Sequence, residues 1–193
     1  MAWKNDQVSQ LETEKILELA QEAVLCEGDF VEMGCYKGDT SLLLAEILAT
    51  TDKKLWIYDS FEGLPEKREE DASTLGEDFK VNELYVSKRE VKQRFLRAGL
   101  PVPIIKKAWF SELSENDLPD KIGFAFLDGD FYESIRDSLK LIEGKMIGGG
   151  IIIIHDYSNP ALPGVAKALE EWNMNKGIEI RNFQTMAILK LKN

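Results

Sequence analysis

Apolar residues recur along the chain with two different periods, and the points where the period changes divide it into elements. Between residues 9 and 25, Ile16, Leu19, Ala20, Ala23 and Val24 fall on one helical stripe, and Ser9 with Glu12 forms a capping box ahead of them. The pattern predicts an N-terminal helix over about 9–26. "DFVEMG" (29–34) is a short apolar strand ending in glycine, and "TSLLLAEILA" (40–49) returns to helical spacing. "KLWIYD" (54–59) is a second strand. Ser87 and Glu90 repeat the capping box before "SKREVKQRFLRAG", whose Val91, Phe95 and Leu96 share a face and whose Gly99 is a stop.

"VPIIKKA" (102–108), "IGFAFLD" (122–128) and "GGIIIIHD" (149–156) are the third, fourth and fifth strands, the last two joined by a helix carrying Ile135, Leu139 and Ile142. Nearly unbroken apolar runs suit parallel strands covered on both faces. A last helix, from Val165 to about Asn173, precedes "IEIRN" and "MAILKLK", expected as an antiparallel pair at the sheet edge. The whole predicts one domain over 1–193, a doubly wound, Rossmann-like α/β sheet of seven strands with an added N-terminal helix. Such sheets bind ligands at the carboxyl ends of their strands, where the strand order reverses.

Composition leaves this picture in place and excludes several functions. With 193 residues, 44% hydrophobic and 30% charged, the chain is long enough to bury about 70% of its unfolded surface. No apolar run approaches the ~18 residues of a membrane span. The start, "MAWKNDQVSQLETEK", lacks the basic and then apolar order of a secretory signal, so the cytoplasm is the expected location. Cys26 and Cys35 are expected to be reduced, structural thiols. A net charge of −10 argues against a nucleic-acid partner. Trp3 and the N-terminal helix are candidates for packing against another subunit.

Between the second strand and the "SKREV" helix, residues 60–83 are charged and without period, with Glu62, Glu66, Glu69, Glu70, Asp71, Glu77, Asp78 and Glu83 set against Lys67, Arg68 and Lys80. "EKREED" (66–71) reads as a solvated face. Loops of this length are often functional, and a mobile lid is the functional reading; an acidic loop without a role is the alternative.

Three polar clusters fall at strand ends. In "EMGCYKGDTS" (32–41), Gly34 and Gly38 allow a sharp turn and close backbone approach, and the following helix start offers free N–H groups. Asp59, about 20 residues beyond Gly38, stands where an acid accepts hydrogen bonds from ribose hydroxyls in dinucleotide folds. The third cluster joins "LDGDFYES" to "HDY". Adjacent parallel strands lie about 4.8 Å apart, so Asp128 can converge with His155 and Asp156, a set suited to a divalent metal, Mg²⁺ or Mn²⁺, with the imidazole favouring Mn²⁺, Fe²⁺ or Zn²⁺. His155 is the only histidine. Asp130 is expected to cap the helix that follows.

These clusters resemble class I S-adenosylmethionine-dependent methyltransferases, and within them the macrocin O-methyltransferase group acting on sugar hydroxyls of natural products. The matching pieces are "VEMGCYKGDTSLLLAE", "YDSFEGLPE", "VKQRFLRAG", "KAWFSELSENDLP", "AFLDGDFYESIRDSL" and "GGGIIIIHDY", in the family's order over about residues 30–157. The resemblance implies an S-adenosylmethionine site lined by Glu32, Gly34, Tyr36, Gly38 and Ser41, with Asp59 on the ribose, Ser60 and Phe61 nearby, and Asp128 shared with the second site. It also implies a divalent ion, usually magnesium, on Asp128, His155 and Asp156, binding a hydroxylated small molecule. The family commonly has two aspartates where this chain reads His155–Asp156. Asp128 and His155 are the candidate bases, although an imidazole bound to metal cannot also take the proton. The rival readings are a binding module that keeps the donor pocket without catalysis, and an NAD-dependent oxidoreductase, which the missing G-x-G-x-x-G disfavours.

Overall fold

A computed structural model of the protein describes residues 7–75 and 79–192; Trp3, Glu77 and Asp78 lie outside the described residues. The elements follow the periodicity closely: α1 (Gln10–Ala23), β1 (Asp29–Met33), α2 (Asp39–Leu48), β2 (Leu55–Asp59), α3 (Lys88–Ala98), β3 (Ile104–Lys107), β4 (Ile122–Leu127), α4 (Tyr132–Glu143), β5 (Met146–Ile154), α5 (Pro163–Asn173), β6 (Arg181–Phe183) and β7 (Met186–Lys190). Both capping boxes form, Ser9 with Glu12 and Ser87 with Glu90, and α3 stops at Gly99 in the left-handed region.

The strands make one sheet in the order β3-β2-β1-β4-β5-β7-β6. The first five are parallel; β7 runs antiparallel between β5 and β6. β6 begins later than "IEIRN" suggests. Asn173 at the end of α5 accepts from the Ile178 N–H at 3.0 Å and donates to its carbonyl at 2.7 Å, occupying backbone groups that a ladder would need. Among the described residues no helix is long and apolar enough to cross a membrane.

Side chains alternate across each strand, so every buried run feeds two cores. Phe30, Phe124, Phe126, Ile151 and Ile153 pack with α1, α2 and α3, and Phe30 stacks on Phe124 with centroids 4.8 Å apart. Ala125, Leu127, Ile152 and Ile154 pack with α4 and α5 on the other face. The alternation continues past the strand ends: Glu32 follows Phe30, Asp128 follows Phe126 and His155 follows Ile153. Three polar side chains from three neighbouring strands are thereby carried to the α1 side of the sheet.

The "EKREED" run is not a solvated face throughout. Asp71 is 1% exposed. Its Oδ1 accepts from the Tyr132 N–H at 2.7 Å and its Oδ2 from the Arg68 N–H at 3.0 Å. Asp71 therefore caps α4, the role expected of Asp130. Asp130 instead takes a left-handed turn (φ 61°), and Phe131 precedes the helix without a side-chain cap. Arg68 pairs with Glu133 at 2.7 Å, Lys167 with Glu70 at 3.3 Å, and the Ser73 hydroxyl donates to the Pro160 carbonyl, so the segment is strapped across the starts of α4 and α5.

Replacing Asp71 with alanine leaves the Tyr132 and Arg68 amides without their acceptor. It should cost about 1–3 kcal/mol in urea unfolding, with Asp71→Asn losing less because one acceptor oxygen remains.

Candidate active site

The site lies at the carboxyl ends of the parallel strands, where the order turns outward from β1 on one side and β4 on the other. Gly34, after β1, has φ 90°, and a Cβ there would sit 2.0 Å from the Asp128 carbonyl oxygen. Only glycine lets these two turns touch. Hydrogen bonds extend the ladder beyond the strands: Gly34 N–H to the Tyr58 carbonyl, Asp128 N–H to Met33, and His155 N–H to Leu127, at 2.9, 2.8 and 3.0 Å. Each of the four central parallel strands is followed within three residues by a non-glycine residue in the left-handed region: Tyr36, Phe61, Asp130 and Asp156. Such conformations cost free energy and gather where geometry serves a site.

A cavity of about 410 Å³ opens there. Glu32, Gly34, Tyr36, Asp59 and Ser60 form one end of it, and Asp128, Asp130, His155 and Asp156 the other. Trp109 and Phe110, which follow β3, supply an aromatic wall. Gly38, Ser41 and Phe61 stand behind the lining. Gly38 opens α2 at φ 79°, Ser41 is fully buried and donates its hydroxyl to Glu32, and Phe61 is packed in the core. Both cysteines are free, and burial pushes the Cys35 thiol well up, so it stays neutral.

Asp59 organises the pocket before it binds anything. Its Oδ2 accepts from the Cys35 and Tyr36 amides at 2.8 and 3.3 Å, and its Oδ1 from the Phe61 amide at 2.7 Å. Of a carboxylate's roughly four acceptor positions, this leaves about one for a ligand hydroxyl. Glu32 is 1% exposed. Burial pushes its carboxyl up to about 8; the Ser41 hydroxyl opposes this, while Asp128, Asp59 and Asp39 reinforce it.

At the other end, His155 is 5% exposed and has a carboxylate at each ring nitrogen. Nδ1 lies 3.0 Å from Asp128 Oδ1 and 3.1 Å from Asp156 Oδ2, and Nε2 lies 3.9 Å from Glu12 Oε2. Burial works against a charged imidazole here but is outweighed by Asp128, Asp156 and Glu12, which raise its proton affinity far above the ordinary value. No ring nitrogen is left facing an acceptor hydroxyl. Asp130 has its carboxyl raised well above the usual range, by burial first and then by repulsion from Asp128 and Asp156.

Asp128, His155 and Asp156 each offer one ligand atom, all within 4.8 Å of one another. The two Nδ1 distances are those of direct imidazole–carboxylate contacts, and the donor types and their nearness, one nitrogen and two oxygens, suit a divalent ion. Glu12 and Asp130 were not legible as site residues. Glu12 showed itself only as half of a capping box, and the Asp-Gly-Asp spacing at 128–130 was the one available hint of a second carboxyl.

Glu32 gives the unliganded fold a pH dependence of known sign. In the unfolded chain it loses its proton near 4.5, in the fold only near 8. Its contribution is therefore full below about pH 4.5 and is lost as the pH rises toward 8, at up to about 1.4 kcal/mol per unit. Urea unfolding between pH 5 and 8 should fall more steeply for the wild type than for Glu32→Gln.

A family model described as macrocin-O-methyltransferase (TylF) matches residues 6–187. A protein of Streptomyces olivaceus, 8-demethyl-8-(2,3-dimethoxy-alpha-L-rhamnosyl)-tetracenomycin-C 4'-O-methyltransferase, is 29% identical over 84% of this chain and 65% of its own. Demethyldecarbamoylnovobiocin O-methyltransferase of Streptomyces niveus is 30% identical over 67% of this chain and 53% of its own. The chain thus spans between about half and two thirds of the length of these relatives. The solved O-methyltransferase NovP superposes with a TM-score of 0.81 at 24% identity, over 98% of this chain and 84% of that one, and has the same fold. With its match running nearly end to end, the chain belongs to the macrocin O-methyltransferase family.

Proposed function

We propose that the protein is an S-adenosylmethionine-dependent, divalent-metal-assisted O-methyltransferase whose acceptor is a hydroxyl of a small molecule, a sugar or a natural product bearing one. The observation that carries this reading is the meeting of two unlike half-sites in one cavity. One is the Glu32–Gly34–Asp59 end, with its buried acid and close backbone. The other is the Asp128–His155–Asp156 set, with metal-ligand spacing.

The donor end fits a cationic, ribose-bearing cofactor. Gly34 removes the side chain that would block close approach, Glu32 supplies a buried carboxyl that a nearby cation would drive to its charged form, and Asp59 keeps an acceptor position beside Tyr36. S-adenosylmethionine, when bound, supplies an electrophilic methyl group on a sulfonium. Asp128, His155 and Asp156 would hold a divalent ion, which lowers the pKa of a hydroxyl bound to it and fixes that hydroxyl's position.

The acceptor oxygen must lose its proton as it forms the bond to carbon. His155 has both nitrogens turned to carboxylates, and Asp128 is engaged with it. Asp130 remains: it lines the cavity beside Asp128 and Asp156, on a left-handed turn at φ 61°. We assign the base to Asp130 rather than to Asp128 or His155. Trp109 and Phe110 offer flat apolar surface to a sugar or aglycone. Residues 68–73, strapped across the starts of α4 and α5 beside the cavity, are proposed as part of its cover.

Calorimetry should find micromolar binding of S-adenosylmethionine or its demethylated product, weakened at least about tenfold by Asp59→Ala. A chain that binds neither refutes the proposal. Asp130→Asn should lower methyl transfer by about 10²–10⁴ while leaving cofactor affinity within about twofold. Cofactor binding with no chelator-sensitive transfer to any hydroxylated acceptor would instead indicate a binding module.

A further inference from the structure

The loop after β1, residues 34–39, is held from two sides. On one side Asp59 accepts from the Cys35 and Tyr36 amides at 2.8 and 3.3 Å. On the other stands Arg94 of α3. Its Nη1 donates to the Lys37 carbonyl and its Nη2 to Asp39 Oδ1, both at 2.5 Å. Gly34, Tyr36 and Gly38 all have positive φ, at 90°, 44° and 79°. For Tyr36 that conformation is costly and persists only where the surroundings fix it. Tyr36, Lys37, Asp39 and Thr40 line the cavity, so whatever fixes this loop also shapes the donor end. Arg94 itself stands behind the cavity wall.

The guanidinium is delivered from a rigid element. Val91 and Phe95, on either side of Arg94, are fully buried, and α3 is closed at both ends by its capping box and Gly99. Lys88 ties the helix to the Ile105 carbonyl of the edge strand at 2.6 Å. Val91 also reaches the loop: a Cβ on Gly38 would lie 3.2 Å from its Cγ1. An arginine presents its donors as a planar fork that spans a carbonyl and a carboxylate at once, whereas a lysine is a single point charge. The Asp39 side chain is 10% exposed and that of Arg94 25%, so much of the water that weakens surface ion pairs is kept away. Ordering a loop before the ligand arrives removes that cost from binding. We propose that Arg94 is a positioning residue for the methyl donor, holding the 34–39 loop through Lys37 and Asp39 in the shape that receives the cofactor. This rests on the donor-site reading above.

The test uses the full chain, with S-adenosylmethionine as the probe. In the unliganded protein, Arg94→Ala should speed amide exchange at residues 35–39 at least about tenfold. Calorimetry should show S-adenosylmethionine bound at least about tenfold more weakly by the folded variant. A residue that only supports the fold would lower the unfolding midpoint and leave that affinity unchanged. Guanidinium ion at about 20 mM should recover at least about fivefold in the affinity of Arg94→Ala while leaving the wild type within about twofold. In turnover, the donor KM should rise at least about tenfold with kcat within about threefold, the mark of lost binding rather than lost chemistry. Should Arg94→Ala fail to fold, Arg94→Lys carries the same test: it keeps the charge but not the fork, and should lose at least about threefold in donor affinity. The proposal is overturned if either variant folds and binds donor as the wild type does, if exchange at 35–39 is unmoved, or if kcat falls with KM unchanged. A wild type that binds no donor overturns the proposed function and this role together. A wild type that binds donor no better than Arg94→Ala overturns this role alone.

Discussion

The contact between Gly34 and the Asp128 carbonyl is the constraint on which the site depends. The turns after β1 and β4 meet with no room for a Cβ, and this closeness sets the Glu32–Asp59 pocket directly beside the Asp128–His155–Asp156 cluster. Hydrogen bonds running past the strand ends keep both turns in line with the sheet. A side chain at position 34 would force the two turns apart.

The second determinant is charge. Six carboxylates, those of Glu12, Glu32, Asp59, Asp128, Asp130 and Asp156, gather at the strand ends with one imidazole, and burying them is costly unless each finds a partner. The chain meets much of that cost locally. Asp59 takes three backbone amides, Glu12 takes two amides and two hydroxyls, and Glu32 takes the Ser41 hydroxyl. Burial raises the proton affinity of Glu32 and Asp130, and the negative potential that is left raises theirs further and that of His155 as well. A sulfonium cofactor and a divalent ion are the kinds of ligand that relieve it.

The strand that ends in "IIIIHDY" shows how much could be read in advance. Four isoleucines in a row meant a strand buried on both faces, and the two cores confirm it: Ile151 and Ile153 pack on one side, Ile152 and Ile154 on the other. The same alternation placed His155 on the α1 face. The acids of 66–71 show the opposite. Nothing in "EKREED" distinguishes Asp71 from its neighbours, because what buries it is the start of α4, some sixty residues away in the chain. The cap expected of the nearby Asp130 went to Asp71, which freed Asp130 to turn into the cavity.

The sequence by itself determined the elements, their order, the parallel core of the sheet and the polar residues at its strand ends, because periodicity and capping are local properties of the chain. The tertiary structure alone decided which carboxylates meet. Glu12 comes to face His155 only because α1 docks over β4 and β5 and because Thr185, at the other end of the chain, holds its carboxylate in place. Such pairings depend on distances across the fold, and no local pattern encodes them.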